Sequence, residues 1–320
     1  MNAIERGWYH SAWWCWLLWP LSGLFWLITA VRRFAYRRGW LKSIALPVPV
    51  VVVGNISVGG TGKTPFTLWL CRWLQQQGHR PGIISRGYGA RITQPTLVDP
   101  SDSAAAVGDE PLLLAQRSGC PVVVCPDRVA AGQYLLSQHD CTIIISDDGL
   151  QHYRLQRSLE IVLIDGFRGL GNGLLLPAGP LREPVSRLKQ ADLVIANSKA
   201  HSQAHGCMQL KIVSATGLLE QDILPVGPVH LLAAIGNPER FAHTAEEAGF
   251  SIVQRFFYGD HHAYTEQELS LLPTPLLMTE KDAVKCRAFA RPGWYQLAVE
   301  ACPDTEIEQQ LATLMADLRS

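Results

Sequence analysis

Residues 47–70, PVPVVVVGNISVGGTGKTPFTLWL, constrain the fold of this chain more than any other stretch. An unbroken β-branched run leads into a glycine-rich turn, and the turn leads into a segment with helical periodicity. The run over 48–53 lacks polar alternation, the pattern of a parallel strand covered on both faces. After the turn, Pro65 suits the first turn of a helix, Leu68, Leu70, Trp73 and Leu74 form an apolar stripe, and Gly78 suits its C-terminal end. Strand, glycine turn, helix is the context in which converging backbone N–H groups and a helix dipole hold phosphate.

In that turn Gly59, Gly60 and Gly62 provide unusual dihedrals and close backbone approach, while Val58, Thr61 and Pro65 complete a candidate nucleotide-binding loop. Lys63 is expected to reach the β- and γ-phosphates and the Thr64 hydroxyl to ligate magnesium. The pattern departs from a Gly-x-x-x-x-Gly-Lys-Ser/Thr loop at its first position, Ser57, whose N–H remains available. A metal-organising acid at the end of a neighbouring strand is the second requirement, and CTIIISDDGLQH offers Asp147 and Asp148 after an apolar run. Adjacent carboxylates are costly unless a cation accompanies them, although an Asp-Asp-Gly surface turn reads the same way. TEKD at 279–282 carries its lysine one place late for a guanine reader, so a GTP-specific switch is disfavoured.

Beyond residue 46, short apolar runs alternate with amphipathic stretches, the form of repeated βαβ units. Strands are expected near 48–53, 82–85, 122–125, 142–146, 161–164 and 193–196. A polar linkage over 206–228 then gives way to VHLLAAIG and a second α/β unit, with strands near 252–257, 275–278 and 295–299 and a terminal helix from Thr305. Thr265 and Glu268 form a capping box. The expected organisation is a membrane segment and basic flank over 1–44, a nucleotide-binding unit over 45–225 and a smaller α/β unit over 226–320.

Composition narrows the partners. Lys+Arg and Asp+Glu number 28 each, so the basic field of a general nucleic-acid binder is missing and no nucleic-acid partner is expected. The 8 cysteines form no Cys-x-x-Cys pair, which argues against a zinc site or a disulfide framework. The N-terminus differs from the rest: residues 11–31 are uncharged, rich in tryptophan, and followed by Arg32, Arg33, Arg37, Arg38 and Lys42. At about 1.5 Å per helical residue this run covers most of a bilayer core of about 30 Å, and the basic flank places the following chain on the cytoplasmic side. Trp8, Trp13, Trp14, Trp16, Trp19 and Trp26 suit a lipid interface, and Pro20 and Gly23 are candidates for a kink, so a spanning helix and one lying in the interface both fit the run.

Several further segments occur in order: SRGYG at 85–89, VGDEP at 107–111, PDR at 126–128, SDDGLQH at 146–152, GPLREP at 179–184, GDHHAYT at 259–265 and TEKDAVK at 279–285. With GNISVGGTGKTP and the hydrophobic N-terminus, they make the chain resemble the tetraacyldisaccharide 4′-kinases, the lipid A 4′-kinases of Gram-negative bacteria, over nearly its whole length. The resemblance implies a P-loop NTPase-like parallel sheet with helices on both faces, a smaller second domain closing over a cleft, and an N-terminal membrane helix. It implies ATP with Mg2+ and no other metal. The γ-phosphoryl group would go to the 4′-hydroxyl of a tetraacylated glucosamine disaccharide 1-phosphate, at the cytoplasmic face of the inner membrane. It maps a catalytic pair onto Asp109 and His261, the latter in preference to the adjacent His262. Glu183 is a candidate metal or nucleotide contact, with an Arg–Glu surface pair as its alternative. Arg86, Arg128 and Arg182 are candidates for substrate phosphate, because guanidinium forks match phosphate oxygens. The competing reading is a membrane-tethered P-loop ATPase without a lipid acceptor.

Overall fold

The structure, a computed structural model, describes residues 3–10, 12–220 and 222–318; Ser11, which heads the expected apolar run, lies outside them. Its strands are β1 (Val50–Gly54), β2 (Pro81–Ser85), β3 (Thr96–Leu97), β4 (Val122–Val124), β5 (Ile143–Asp147), β6 (Leu159–Asp165), β7 (Leu193–Asn197), β8 (Gly206–Gly217), β9 (Pro228–Ala233), β10 (Ser251–Phe257), β11 (Leu276–Thr279) and β12 (Trp294–Pro303). Its helices are α1 (Ala3–Tyr9), α2 (Trp19–Arg37), α3 (Lys63–Gln76), α4 (Ala104–Val107), α5 (Asp109–Ser118), α6 (Arg128–Gln138), α7 (Pro238–Glu247), α8 (Glu266–Ser270), α9 (Glu280–Cys286) and α10 (Thr305–Asp317).

All the strands join one 12-stranded sheet in the order β10-β9-β11-β12-β8-β7-β6-β1-β5-β2-β4-β3. Pairing is parallel except where β12 meets β8 and β3 meets β4. The β-branched run of β1 explains its central place: Val51 and Val53 enter one core with Phe66, Leu70 and Leu74 of α3, while Val50 and Val52 enter another with Ala131 and Leu135 of α6. Each such side chain contributes about 1.5–3 kcal/mol relative to exposure. The strand register lines polar residues along one edge, since Val53 pairs with Asp147 and Asp165 with Asn197, and the glycine turn leaves β1 at that edge.

One expectation fails at the junction. Residues 206–217 form β8, not a polar linkage, and carry the sheet from one unit into the next. Gly206 to Met208 pair with β7, and the remainder pairs antiparallel with β12, so the whole sheet is mixed. The strand hides in the sequence because Lys211, Ser214 and Thr216 interrupt its apolar positions. Helix α10 also returns to the first unit, burying Ile307, Leu311 and Met315 in the cluster that holds α3.

The N-terminal run is a 3-10 turn (Trp13–Leu18) followed by α2, and Pro20 sits in the first turn of α2 instead of kinking its middle. Trp13–Arg37 is long and apolar enough to cross a membrane by length and composition. One edge of α2 is docked: Ser22 Oγ donates to Leu175 O (2.8 Å) and accepts from Ala178 N (3.0 Å), Phe25 packs on the core, and Arg33 reaches Glu183 at 3.5 Å. Leu21, Leu24, Ile28 and Val31 are exposed. Trp8, grouped by sequence with the interfacial tryptophans, is instead buried and donates Nε1–H to Pro177 O at 2.9 Å.

Candidate active site

The glycine turn is held from three sides. Gly59 (φ 108°) and Gly62 (φ 92°) occupy the left-handed region, and α3 starts at Lys63. Ser57 needs no such freedom: it makes a bridge with Leu181, flanked by Val58 N–H to Pro180 O (2.8 Å) and Arg182 N–H to Ile56 O (2.7 Å). The GPLREP segment therefore supports the loop where a glycine was expected. Asn197, at the end of β7, donates to Thr61 O at 3.0 Å. From the second unit, Gly236 approaches so closely that a Cβ there would lie 2.5 Å from Gly60 N.

Asp147 and Asp148 have opposite environments. Asp147 ends β5 fully buried and accepts from Thr67 Oγ1 (3.5 Å) and Ser85 Oγ (3.4 Å). Burial, with Glu110 and Asp148 nearby, pushes its carboxyl up to about 7 against the pull of Lys63 and Arg128. Asp148 turns away through a left-handed φ of 48° to meet Lys63 Nζ at 3.4 Å and Arg182 Nη1 at 3.3 Å. Burial works to raise it, but Lys63 and Arg182 hold it well below the usual carboxylate range.

Across the cleft, Gly108 (φ 96°) turns the chain into α5, and Asp109 opens that helix, buried. His261 Nδ1 lies 3.0 Å from Asp109 Oδ2. Burial disfavours both charges, yet the contact wins: it raises His261, and with Lys281 it lowers Asp109. The adjacent His262 faces Glu268 at 3.1 Å and stacks on Tyr258, so the two histidines are told apart by their partners. Lys281, at the start of α9, stands beside Glu110 (3.0 Å) and His261 Nε2 (3.4 Å). Sequence reasoning gave Lys281 and Glu110 no role because they lie 171 positions apart, although each stands in a segment singled out there, TEKDAVK and VGDEP.

Two cavities of about 440 Å³ each meet here. Residues 58–65 line one, together with Leu68, Ile235, Gly236, Phe241 and Lys281. The other is walled by Phe25, Arg32 and Arg33 of α2, and by Arg86, Asp109, Gln151 and Glu183. Tyr88, Glu110, Asp148 and Arg182 line both. Arg128 is buried, its guanidinium on the carbonyls of Pro126 (3.1 Å) and Asp148 (3.5 Å), and it is not among the lining residues of either. Glu183 is buried with its carboxylate on Tyr153 OH (2.5 Å), Gln151 Nε2 (3.0 Å), Arg33 and Arg187.

No group of three or more His, Cys, Asp or Glu side chains could hold a metal among the described residues. Two acids and the Thr64 hydroxyl beside a phosphate loop instead suit Mg2+, which keeps waters and takes oxygens from phosphates.

A glycine loop between a parallel strand and its helix, an acid at the next strand end, and a buried carboxylate at the mouth of a second cavity define a P-loop phosphotransferase. The family model LpxK, described as tetraacyldisaccharide-1-P 4′-kinase, matches residues 14–316. The chain belongs to this family, and is accordingly a kinase that passes a phosphoryl group to an alcohol. A tetraacyldisaccharide 4′-kinase of Aeromonas hydrophila is 48% identical over 93% of this chain and 91% of its own length. One of Tolumonas auensis is 45% identical over 99% and 98%. The crystal structure of LpxK from Aquifex aeolicus in complex with ATP superposes with a TM-score of 0.78 at 27% identity, covering 95% of this chain and 99% of that one.

Proposed function

We propose that this chain transfers the γ-phosphoryl group of ATP to the 4′-hydroxyl of a tetraacylated glucosamine disaccharide 1-phosphate, the step that yields lipid IVA. The observation that carries the reading is the meeting of the phosphate-loop cavity with an arginine-lined cavity beside α2, with Asp109 on the wall of the second, next to Glu110, which lines both. A membrane-tethered ATPase without a lipid acceptor needs only the first cavity.

Backbone amides of residues 58–64 and the Lys63 ammonium hold the β- and γ-phosphates. Thr64, Asp147 and Asp148 would hold Mg2+, which when bound neutralises charge on the phosphoryl oxygens. Glu183 is set apart from that group because its carboxylate already meets two arginines. The 4′-hydroxyl oxygen bonds to the γ-phosphorus, the bond from that phosphorus to the β,γ-bridging oxygen breaks, and ADP leaves. Asp109 takes the hydroxyl proton while His261 orients the carboxylate. Phosphoryl transfer through a loose transition state asks more for an ionised, aligned acceptor than for a strong base, and the lowered Asp109 suits that demand. Arg86 and Arg182, with Arg32 and Arg33, are the cations available to the phosphate of the acceptor.

An acylated substrate stays in the bilayer, so the acceptor cavity has to open at its surface. The docked edge of α2 walls that cavity, and the exposed apolar residues would lie in the cytoplasmic leaflet of the inner membrane, with Arg37, Arg38 and Lys42 among anionic headgroups. The functional division is then the membrane-facing segment 1–44, the P-loop unit 45–225 and the smaller unit 226–320. Protein in detergent micelles given ATP labelled in its γ-phosphate and the acylated disaccharide should produce labelled lipid. Free phosphate without labelled lipid would favour the tethered ATPase.

A further inference from the structure

The ammonium of Lys281 has three N–H donors and no acceptor. Around it stand Glu110 Oε1 at 3.0 Å, Asp260 Oδ1 at 3.4 Å and His261 Nε2 at 3.4 Å, with Asp109 Oδ2 at 3.9 Å. A group that only donates fixes its partner as acceptor, so in the neutral ring of His261 Nε2 is the acceptor and the proton belongs on Nδ1, 3.0 Å from Asp109 Oδ2. We propose that Lys281 is a positioning residue for phosphoryl transfer: it locks His261 in the Nδ1–H tautomer and thereby presents Asp109 ionised and aligned to the acceptor hydroxyl. The inference rests on the reading of Asp109 as proton acceptor.

The scaffold behind Lys281 is rigid. Asp282 is fully buried, accepts from Ala234 N–H (3.1 Å), Tyr264 OH (3.0 Å) and Thr279 Oγ1 (2.6 Å), and pairs with Lys285 at 2.7 Å. The start of α9 is thus tied to the end of β9. The charged groups facing the histidine are few and accounted for. Asp260 Oδ1, 3.8 Å from Nε2, would draw a proton there, but Lys281 is nearer to both and occupies that carboxylate. From α5 come Asp109 and Glu110, and from α9 itself Lys285, taken by Asp282, and Glu280, taken by Arg117. Tyr88 packs its ring 4.7 Å from that of His261. Because Lys281 belongs to the second unit and Asp109 to the first, the arrangement exists only when both units are in place.

The tautomer is read directly by NMR of protein carrying 15N-labelled histidine, on the basic side of the measured His261 titration where the ring is neutral, with His261→Asn assigning the signal. Wild-type His261 should carry its proton on Nδ1; a proton on Nε2 overturns the proposal without any variant. In Lys281→Met, kcat should fall about tenfold or more and the acid limb of its pH profile should move up by about one unit. The Kd of a non-hydrolysable ATP analogue should change less than about threefold, and Lys281→Arg should recover most of the lost kcat. A superimposable kcat–pH profile in Lys281→Met, or a loss confined to nucleotide affinity, defeats the assignment; if that variant does not fold, the wild-type tautomer and Lys281→Arg decide it. Asp109→Asn separates the two readings. Retained turnover there removes the base itself, whereas an inactive Asp109→Asn beside a normal Lys281→Met removes Lys281 alone.

Discussion

Lys63 Nζ sits 3.4 Å from Asp148 Oδ1, so the loop lysine is already paired with the acid that follows β5. An incoming triphosphate has to draw the lysine away, and Asp148 keeps Arg182 at 3.3 Å when it does. The same second partner protects the fold when Lys63 is removed. Lys63→Ala should therefore lower turnover by about 10²–10³-fold with the melting temperature nearly unchanged. Turnover close to wild type in a folded variant would take the glycine loop out of the chemistry.

Gly236 joins the second unit to the loop. An alanine Cβ there would stand 2.5 Å from Gly60 N and 3.0 Å from Gly59 Cα, and neither backbone atom can swing aside. Gly236→Ala is expected to cost about 1–3 kcal/mol and to weaken ATP binding measurably in calorimetry. Gly23→Ala, where a Cβ meets open space, is the control and should bind ATP normally. Equal affinity in both variants would mean the loop contact does not shape the nucleotide site.

The Asp109–His261 contact sets a pH window for stability. His261 is raised in the folded state, so its contribution is complete below about pH 6.5 and fades as pH rises through the raised value. Asp109 is lowered, so its contribution is complete above about pH 3.9 and fades as pH falls through the lowered value. The melting-temperature difference between wild type and His261→Asn should be largest between those limits and shrink on either side. A difference that grows from pH 7 to about pH 9 would contradict the pairing.

The outer face of α2 can be tested without disturbing its docked edge. Leu24 and Ile28 are 55% and 58% exposed. Glutamate at both should weaken binding to anionic phospholipid vesicles by about tenfold or more, while ATP affinity stays within about twofold. Unchanged sedimentation with the vesicles would show that another surface contacts lipid.

Glu183 lies between Arg33 and Arg187, and Tyr153 and Gln151 complete its hydrogen bonds. Removing a buried charge partner costs about 3–5 kcal/mol, so Glu183→Ala should lower the melting temperature sharply. The concentration of Mg2+ giving half-maximal activity should hardly move. A large rise in that concentration would return Glu183 to the metal site.

Much of the fold was legible because local pattern and burial agree. Residues 50–53 of β1 and 143–145 of β5 are unbroken apolar runs, and strands covered on both faces need no polar alternation. The capping box at Thr265 and Glu268 was readable for the same reason, since both hydrogen bonds close within three residues. β8 was not, because its burial depends on pairing with β12 some 80 positions later, and exposed Gln209 and Lys211 break its apolar pattern. Trp8 was misjudged because composition does not reveal that Pro177 O waits for its N–H.

The sequence by itself determined the glycine loop, the Asp pair at the end of β5 and the apolar character of the N-terminus, since each is written in contiguous residues whose spacing follows strand or helix geometry. Tertiary structure alone decided that Ser57 is supported by Leu181, that the carboxyls of Asp147 and Asp148 are pushed in opposite directions, and that Lys281 meets His261. Those outcomes depend on burial and on charges brought together from distant segments, and electrostatic energy is set by distance in space, not by position in the chain.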